Sequence, residues 1–188
     1  DWRVIEKSRK AEDVKTLDMK APVVIKPASG GSSLGVTICK KDEEISPAID
    51  LAFDSGDRVL VENFVDGTLI AVGIIGDKTA PVIEIETNAQ FYDYKSKYTS
   101  GGSTYHIPAR LAPAILEKVK EMALAIHKAI GVVGMSRSEF IVDKSGTGWF
   151  LELNTIPGLT GTSLLPKAAK KMGLPFDDLV LHIINEAL

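Results

Sequence analysis

Short apolar runs, broken by Gly, Pro and Asp, divide this chain into strands and helices of modest length. Residues 1–20 read as an extended piece followed by a short polar helix over 11–17. The run Ala21-Pro-Val-Val-Ile-Lys-Pro27 is a buried strand, and Val36-Thr-Ile-Cys39 is a second one beyond a loop of glycines and serines. Ser46 followed by Pro47 predicts a helix start, with Ile49, Ala52 and Phe53 as its apolar stripe and Gly56 as its stop. Residues 58–65, 68–75 and 80–85 predict a three-stranded meander that turns at Asp66-Gly67 and again at Gly76-Asp77. Residues 86–110 fit neither period. The best helix follows over 112–130, where Ile115, Val119, Met122, Ile126 and Ile130 mark one face and Gly131 ends it. A hairpin from Gly134 to Asn154, turning over 143–148, leads to two last helices, 165–172 and 176–187, separated by Gly173-Leu-Pro175.

The second strand of that hairpin carries the clearest chemistry. In Trp149-Phe-Leu-Glu-Leu-Asn-Thr-Ile-Pro-Gly158, Glu152 and Asn154 stand two apart, which in a strand puts both on one face and turns Leu151 and Leu153 to the other. A carboxylate and a carboxamide so placed suit a hard cation such as Mg2+, and taken alone they are equally an ordinary solvated face. The preceding strand supplies context. Arg137, Glu139 and Ile141 alternate onto one face there, and cross-strand neighbours lie within about 5 Å. Glu139 is thereby placed to join Glu152 and Asn154, with Arg137 beside them to meet an anion. After the strand, Pro157 and the glycines of Thr155-Ile-Pro-Gly-Leu-Thr-Gly161 end the pairing and leave backbone N–H groups for a substrate.

Upstream, Lys26 closes a buried strand, where a lysine is costly unless an anion meets it; a surface lysine at a strand end is the plainer alternative. The loop Ala28-Ser-Gly-Gly-Ser-Ser-Leu-Gly-Val36 lets backbone amides and hydroxyls approach phosphate oxygens. It is not a Walker A loop, lacking Gly-Lys-Ser/Thr, and not a Rossmann turn, lacking a helix after the glycines. Glu62-Asn-Phe-Val65 offers backbone groups and a flat apolar wall to a nucleobase. Residues 86–110 hold all four tyrosines, with Gly101-Gly102 as a hinge, and read as a lid over a ligand or, more plainly, as a packed surface loop. His127 lies away from the acidic residues and reads as a packing or surface side chain.

Composition narrows the classes. With 188 residues, 45% of them hydrophobic, the chain can bury a core as one domain or two small lobes. A net charge of -3, with no basic run interleaved with aromatics, argues against nucleic-acid binding. No apolar run reaches the length of a membrane span, and a single cysteine, Cys39, forms no internal disulfide. No signal peptide is read, which fits a cytoplasmic protein. The chain opens at Asp1-Trp2 without an initiator Met and is expected to be a fragment.

Five motifs stand in order: Ile25-Lys-Pro27, Gly31-Ser-Ser-Leu-Gly35, Phe91-Tyr-Asp-Tyr-Lys-Ser-Lys-Tyr98, Arg137-Ser-Glu139 and Leu151-Glu-Leu-Asn-Thr-Ile-Pro-Gly158. Together they resemble the ATP-grasp superfamily, and within it the D-alanine-D-alanine ligases, over nearly all of residues 20–188. The resemblance implies an α+β ATP-grasp fold with nucleotide held between two lobes. Residues 1–20 would be a remnant of the central region, 21–85 the smaller lobe, and 86–188 the lid and larger lobe, with the family's N-terminal substrate domain absent. It implies that ATP phosphorylates one D-alanine and that the amine of a second attacks the acylphosphate. Lys26 and Lys97 would meet the phosphates, Gly31, Ser32 and Ser33 would cover the γ-phosphate, and Glu62, Asn63, Phe64 and Val65, with Phe91 and Leu151, would hold the nucleotide. Glu139, Glu152 and Asn154 would bind two Mg2+ ions, for which Mn2+ is an alternative. Arg137 and the Gly158 N–H would form an oxyanion site, Ser32 and Tyr98 would close the lid, and Ser163 and Leu164, with Lys97, would bind the second D-alanine. The Tyr98-containing lid is the form found with D-alanine rather than D-lactate acceptors. Full-length relatives are typically cytoplasmic homodimers serving peptidoglycan synthesis.

Two departures bear on this. Leu69 stands where the family usually has a glutamate on the ribose, and Glu139 stands where aspartate is also common. Without the N-terminal domain the chain alone is expected to be inactive. The rival readings are another ATP-grasp carboxylate-amine ligase and a catalytically silent nucleotide-binding module.

Overall fold

The computed structural model of the protein describes residues 1–31, 33–87 and 102–186. They fall into two compact units, Asp1–Val65 in one and Asp66–Glu86 with the chain from Thr104 onward in the other.

The first unit is an antiparallel sheet ordered β1 (Trp2–Glu6), β4 (Arg58–Asn63), β2 (Val23–Pro27), β3 (Thr37–Cys39). A short helix α1 (Lys10–Lys15) follows β1, and α2 (Ile45–Phe53) covers the sheet. Alternation decides which face is covered. Val23, Ile25, Val59 and Val61 point inward and are fully buried with Ile49, Ala52 and Phe53 of α2. Helix α2 starts at Ile45, one residue before the expected Ser46 cap. A preceding 3-10 turn, Asp42–Glu44, takes that role, its Glu44 carboxylate accepting the N–H groups of Lys40 (2.6 Å) and Lys41 (3.1 Å). The extended piece at the start of the chain is a true edge strand, paired with β4 over five residues.

The second unit holds β5 (Gly67–Ile75), β6 (Lys78–Thr79), β7 (Ile83–Thr87), β8 (Ser103–His106), β9 (Met135–Asp143) and β10 (Gly148–Asn154). The sheet order is β10-β9-β5-β7-β8, with β6 on β5. The expected meander is therefore wrong at its first turn. Strands β4 and β5 belong to different sheets, and Asp66-Gly67 is the passage between the two compact units. The reason is β9, which pairs with β5 along all nine residues from Gly67↔Asp143 to Ile75↔Met135. This ladder presses Gly67 against Val142, where a Cβ would lie 2.3 Å from the carbonyl oxygen, so only glycine fits.

Helix α3 (Pro113–Ile130) covers one face of this sheet, burying Val119 and Ala123 against Ile70, Val72, Ile74, Phe140 and Val142. Gly131 ends it in the left-handed conformation at φ 72°. Ile130, expected on the apolar face, is exposed at the helix end, while His127 is buried and bonded to Ser136 at 2.7 Å. Helices α4 (Leu164–Lys171) and α5 (Phe176–Glu186) cover the other face through Leu165, Ala169 and Leu179 against Ile75 and Met135.

Part of the stretch expected to be an irregular lid is regular. Residues 103–106 are strand β8, and Arg110 is fixed by the buried Glu84 of β7, which accepts its backbone N–H at 2.9 Å and its guanidinium Nε at 3.1 Å. The Arg110 hydrogen bond holds the Glu84 carboxyl below the usual range. Glu86 in turn bonds His106 at 2.8 Å. Residues 88–101, with Phe91, Lys97 and Tyr98, lie outside the described residues, as does Ser32.

Candidate functional site

The β9–β10 hairpin is closed by Asp143, whose carboxylate accepts the N–H groups of Ser145 (2.8 Å) and Thr147 (3.1 Å) and the Trp149 indole (2.8 Å). The Ser145 hydroxyl, then the indole, hold that carboxyl down to about 2. From the turn, Gly148↔Val142, Trp149↔Ile141 and Phe150↔Phe140 pair regularly, and the two phenylalanine rings meet edge-on at 5.7 Å. The next pairs are Glu152↔Glu139, Leu153↔Ser138 and Asn154↔Arg137, with the register shifting between Phe150 and Glu152. Leu151 is the extra residue of a β-bulge. It is left out of the ladder, whereas alternation alone would have made it the partner of Glu139. Unbroken alternation from Phe150 would turn Glu152 toward Ser138; the bulge turns it to Glu139.

Directly opposed residues share a face, so Arg137, Glu139, Glu152 and Asn154 stand together, as their sequence spacing suggests. Arg137 Nη2 donates to Glu139 Oε1 at 2.7 Å, and Asn154 Nδ2 donates to Glu152 Oε1 at 2.9 Å. Among the described residues the second oxygen of each carboxylate has no hydrogen-bond partner. Glu139 is buried, and the buried Nε of Arg137 is an unmet donor. A desolvated N–H without an acceptor calls for an anion from outside the chain. Gly73 of β5 opposes Arg137, and Leu165 lies over it; a Cβ at Gly73 would meet Leu165 Cδ1 at 2.5 Å. Among the described residues no three His, Cys, Asp or Glu side chains cluster as a metal site. The oxygen set here is two carboxylates and a carboxamide.

Beyond β10 the chain bends back through 155–162 to Ser163, the N-cap of α4. Gly158 and Ser163 are neighbours, since a Cβ on Gly158 would lie 2.9 Å from Ser163 Oγ. Sequence reasoning missed the hydroxyls beside them. Thr160 Oγ1 lies 2.8 Å from Ser163 Oγ and 3.1 Å from Thr162 Oγ1. The density of hydroxyls in Thr160-Gly-Thr-Ser163 was the available signal.

In the first unit, Lys26 and Glu62 are on the outer face of the sheet, diagonal across β2 and β4, with Nζ 2.7 Å from Oε2. The anion that Lys26 needs is thus already supplied within the chain. The N–H groups of Asn63 and Phe64 are used internally, by the carbonyls of Asp1 and Pro22. In the glycine loop, Ser33 takes a positive φ of 58° and Gly30 one of 123°, and added Cβ atoms at Gly30 and Gly31 would meet nothing within 4 Å. The space beside the backbone is open at Gly30 and Gly31. Leu69 pairs with Ile141 on the face of β5 that also carries Ala71, the partner of Glu139.

Two antiparallel sheets with their helices, one bearing this acid-and-amide hairpin, make an α+β protein of the ATP-grasp fold. The structure of VanG D-Ala:D-Ser ligase from Enterococcus faecalis superimposes with a TM-score of 0.89 at 32% identity, covering 100% of this chain and 56% of that one. That of D-alanine-D-alanine ligase from Bacillus anthracis complexed with ATP gives 0.78 at 27% identity, over 99% of this chain and 59% of that one. The family described as D-ala D-ala ligase C-terminus matches residues 1–185, and the chain belongs to it. Its relatives include the D-alanine-D-alanine ligase of Xanthobacter autotrophicus, 42% identical over 95% of this chain and 60% of that protein. That of an Anaeromyxobacter species is 43% identical over 100% of this chain and 61% of that protein. The chain thus spans about 60% of the length of the curated relatives it matches.

Proposed function

We propose that the protein to which this chain belongs joins two D-alanines into D-alanyl-D-alanine with ATP, in peptidoglycan precursor synthesis in the cytoplasm. The observation that carries the reading is the shared face of Arg137, Glu139, Glu152 and Asn154. The oxygen donors suit Mg2+ because each carboxylate keeps one oxygen without a hydrogen-bond partner among the described residues. Glu139, Glu152 and Asn154 would hold the two Mg2+ ions, which when bound offset the charge of the transferring phosphoryl group.

Lys26 and Lys97 meet the phosphates, the loop at Gly31, Ser32 and Ser33 covers the γ-phosphate, and Ser32 and Tyr98 close the lid. Glu62–Val65, Phe91 and Leu151 hold the nucleotide. The carboxylate of the first D-alanine attacks the γ-phosphorus and ADP departs. The amine of the second attacks the acyl carbon, and phosphate departs as the amide forms. Arg137 and the Gly158 N–H stabilise the oxyanion between these events, while Ser163 and Leu164 hold the second amino acid. The first D-alanine is met by groups outside this chain, so the chain alone does not turn over, and the full-length protein works as a homodimer.

The test is ADP release by the full-length protein with ATP, Mg2+ and D-alanine, with the product identified by mass. D-alanyl-D-alanine supports the reading, and no ADP above background overturns it. A second reading is favoured by the 0.89 match to a ligase named for D-serine. A mixed D-alanyl-D-serine product, formed in preference when both amino acids are present, would select it.

A further inference from the structure

Serine at a helix N-cap ordinarily turns its hydroxyl back to accept an N–H of the first turn. Ser163 occupies that position, at φ -70° and ψ 150°, yet makes no side-chain capping bond. Its oxygen instead accepts the backbone N–H of Thr160 at 3.1 Å and lies 2.8 Å from Thr160 Oγ1. Thr160 Oγ1 is itself 3.1 Å from Thr162 Oγ1. A hydroxyl has two acceptor sites and one proton. When Thr162 donates to Thr160 and Thr160 donates to Ser163, both acceptor sites of Ser163 are filled. Its one remaining capacity is its proton.

We infer that Thr160 is a positioning residue that makes Ser163 an obligate hydrogen-bond donor, tuned to the carboxylate of the acceptor amino acid. This rests on the ligase reading above and deepens it at the acceptor subsite. Aligned hydroxyls polarise one another, so the terminal proton is a better donor to an anion than that of an isolated serine. The Ser163 N–H, bonded to the Thr160 carbonyl at 3.0 Å, closes the same small ring and fixes the distance between the two side chains. Gly158 leaves room for that hydroxyl, since a Cβ there would lie 2.9 Å from Ser163 Oγ.

The experiment is steady-state kinetics of the full-length protein, varying acceptor and ATP separately, for wild type, Thr160→Val, Thr160→Ser and Thr162→Val. Thr160→Val keeps the shape and removes the hydroxyl. It is expected to raise the acceptor KM about tenfold, the scale of one weakened charge-assisted hydrogen bond, with the ATP KM unchanged. Thr160→Ser restores the wild-type value, and Thr162→Val gives a smaller increase. An acceptor KM unmoved in Thr160→Val, or acceptor and ATP KM rising together in it, overturns the inference. So does a Thr160→Ser value that stays with Thr160→Val. A wild type that forms no dipeptide overturns the ligase reading itself, and is told apart because it fails before any variant is compared.

Discussion

Glu139 and Glu152 oppose each other across β9 and β10 although Phe150, two residues before Glu152, lies on the other face opposite Phe140. In an unbroken strand residues two apart share a face. The bulge at Leu151 resolves the conflict by giving the strand two phases. The part next to the turn sets the half-exposed Phe150 edge-on against the buried Phe140, and the part after the bulge presents a carboxylate and a carboxamide on the opposite face. One strand thus meets both the edge of the core and the site.

Arg137 is the cation of that face, with one guanidinium nitrogen on Glu139 and a buried Nε that lacks an acceptor. Arg137→Lys keeps the charge and loses the fork. In the full-length protein kcat should fall about a hundredfold or more, the cost of one oxyanion donor, while nucleotide affinity changes little. Initial rates alongside nucleotide titration check this split.

His127 is buried against Ser136, and burial, followed by the Lys128 charge, lowers its pKa from the usual value. The folded state therefore binds its proton less readily than the unfolded chain does. Its contribution is fully present above the ordinary imidazole pKa of about 6.5. It is lost as pH falls from there through the lower folded value. Denaturation midpoints measured between pH 7.5 and 5 should decline in the wild type and decline less in His127→Gln.

Leu69 pairs with Ile141 at the start of β5, where relatives of this family are expected to carry a ribose-binding glutamate. Leu69→Glu should tighten ATP binding about tenfold, one charge-assisted hydrogen bond's worth, without changing the fold. Calorimetric titration reads this directly, and an unchanged affinity would mean that the ribose lies elsewhere.

Where alternation or a helical period runs unbroken, the fold was legible: β2, β9 and α3 lie where the pattern puts them. The pairing of Glu152 with Asn154 was legible for the same reason, since both lie beyond the bulge. Partnership between distant strands was not legible. Asp66-Gly67 has the chemistry of a hairpin turn, and nothing local reveals that β5 satisfies its nine residues against β9, some seventy positions on. The bulge was equally hidden, because one extra residue leaves the composition of a strand unchanged. Glu84 and Arg110, 26 residues apart, are joined only by the return of the chain to the sheet edge. The Thr160 hydroxyl beside Ser163 depends on the curl of a loop that no periodicity describes.

Glu152 is the carboxylate on which the proposed metal site most depends. The deciding measurement is calorimetric titration of the chain with an ATP analogue, with and without Mg2+, in the wild type and in Glu152→Gln. Mg2+ is expected to tighten nucleotide binding to the wild type by about an order of magnitude or more, and the variant, still folded, to lose this response. Equal Mg2+ dependence in the two proteins would contradict it.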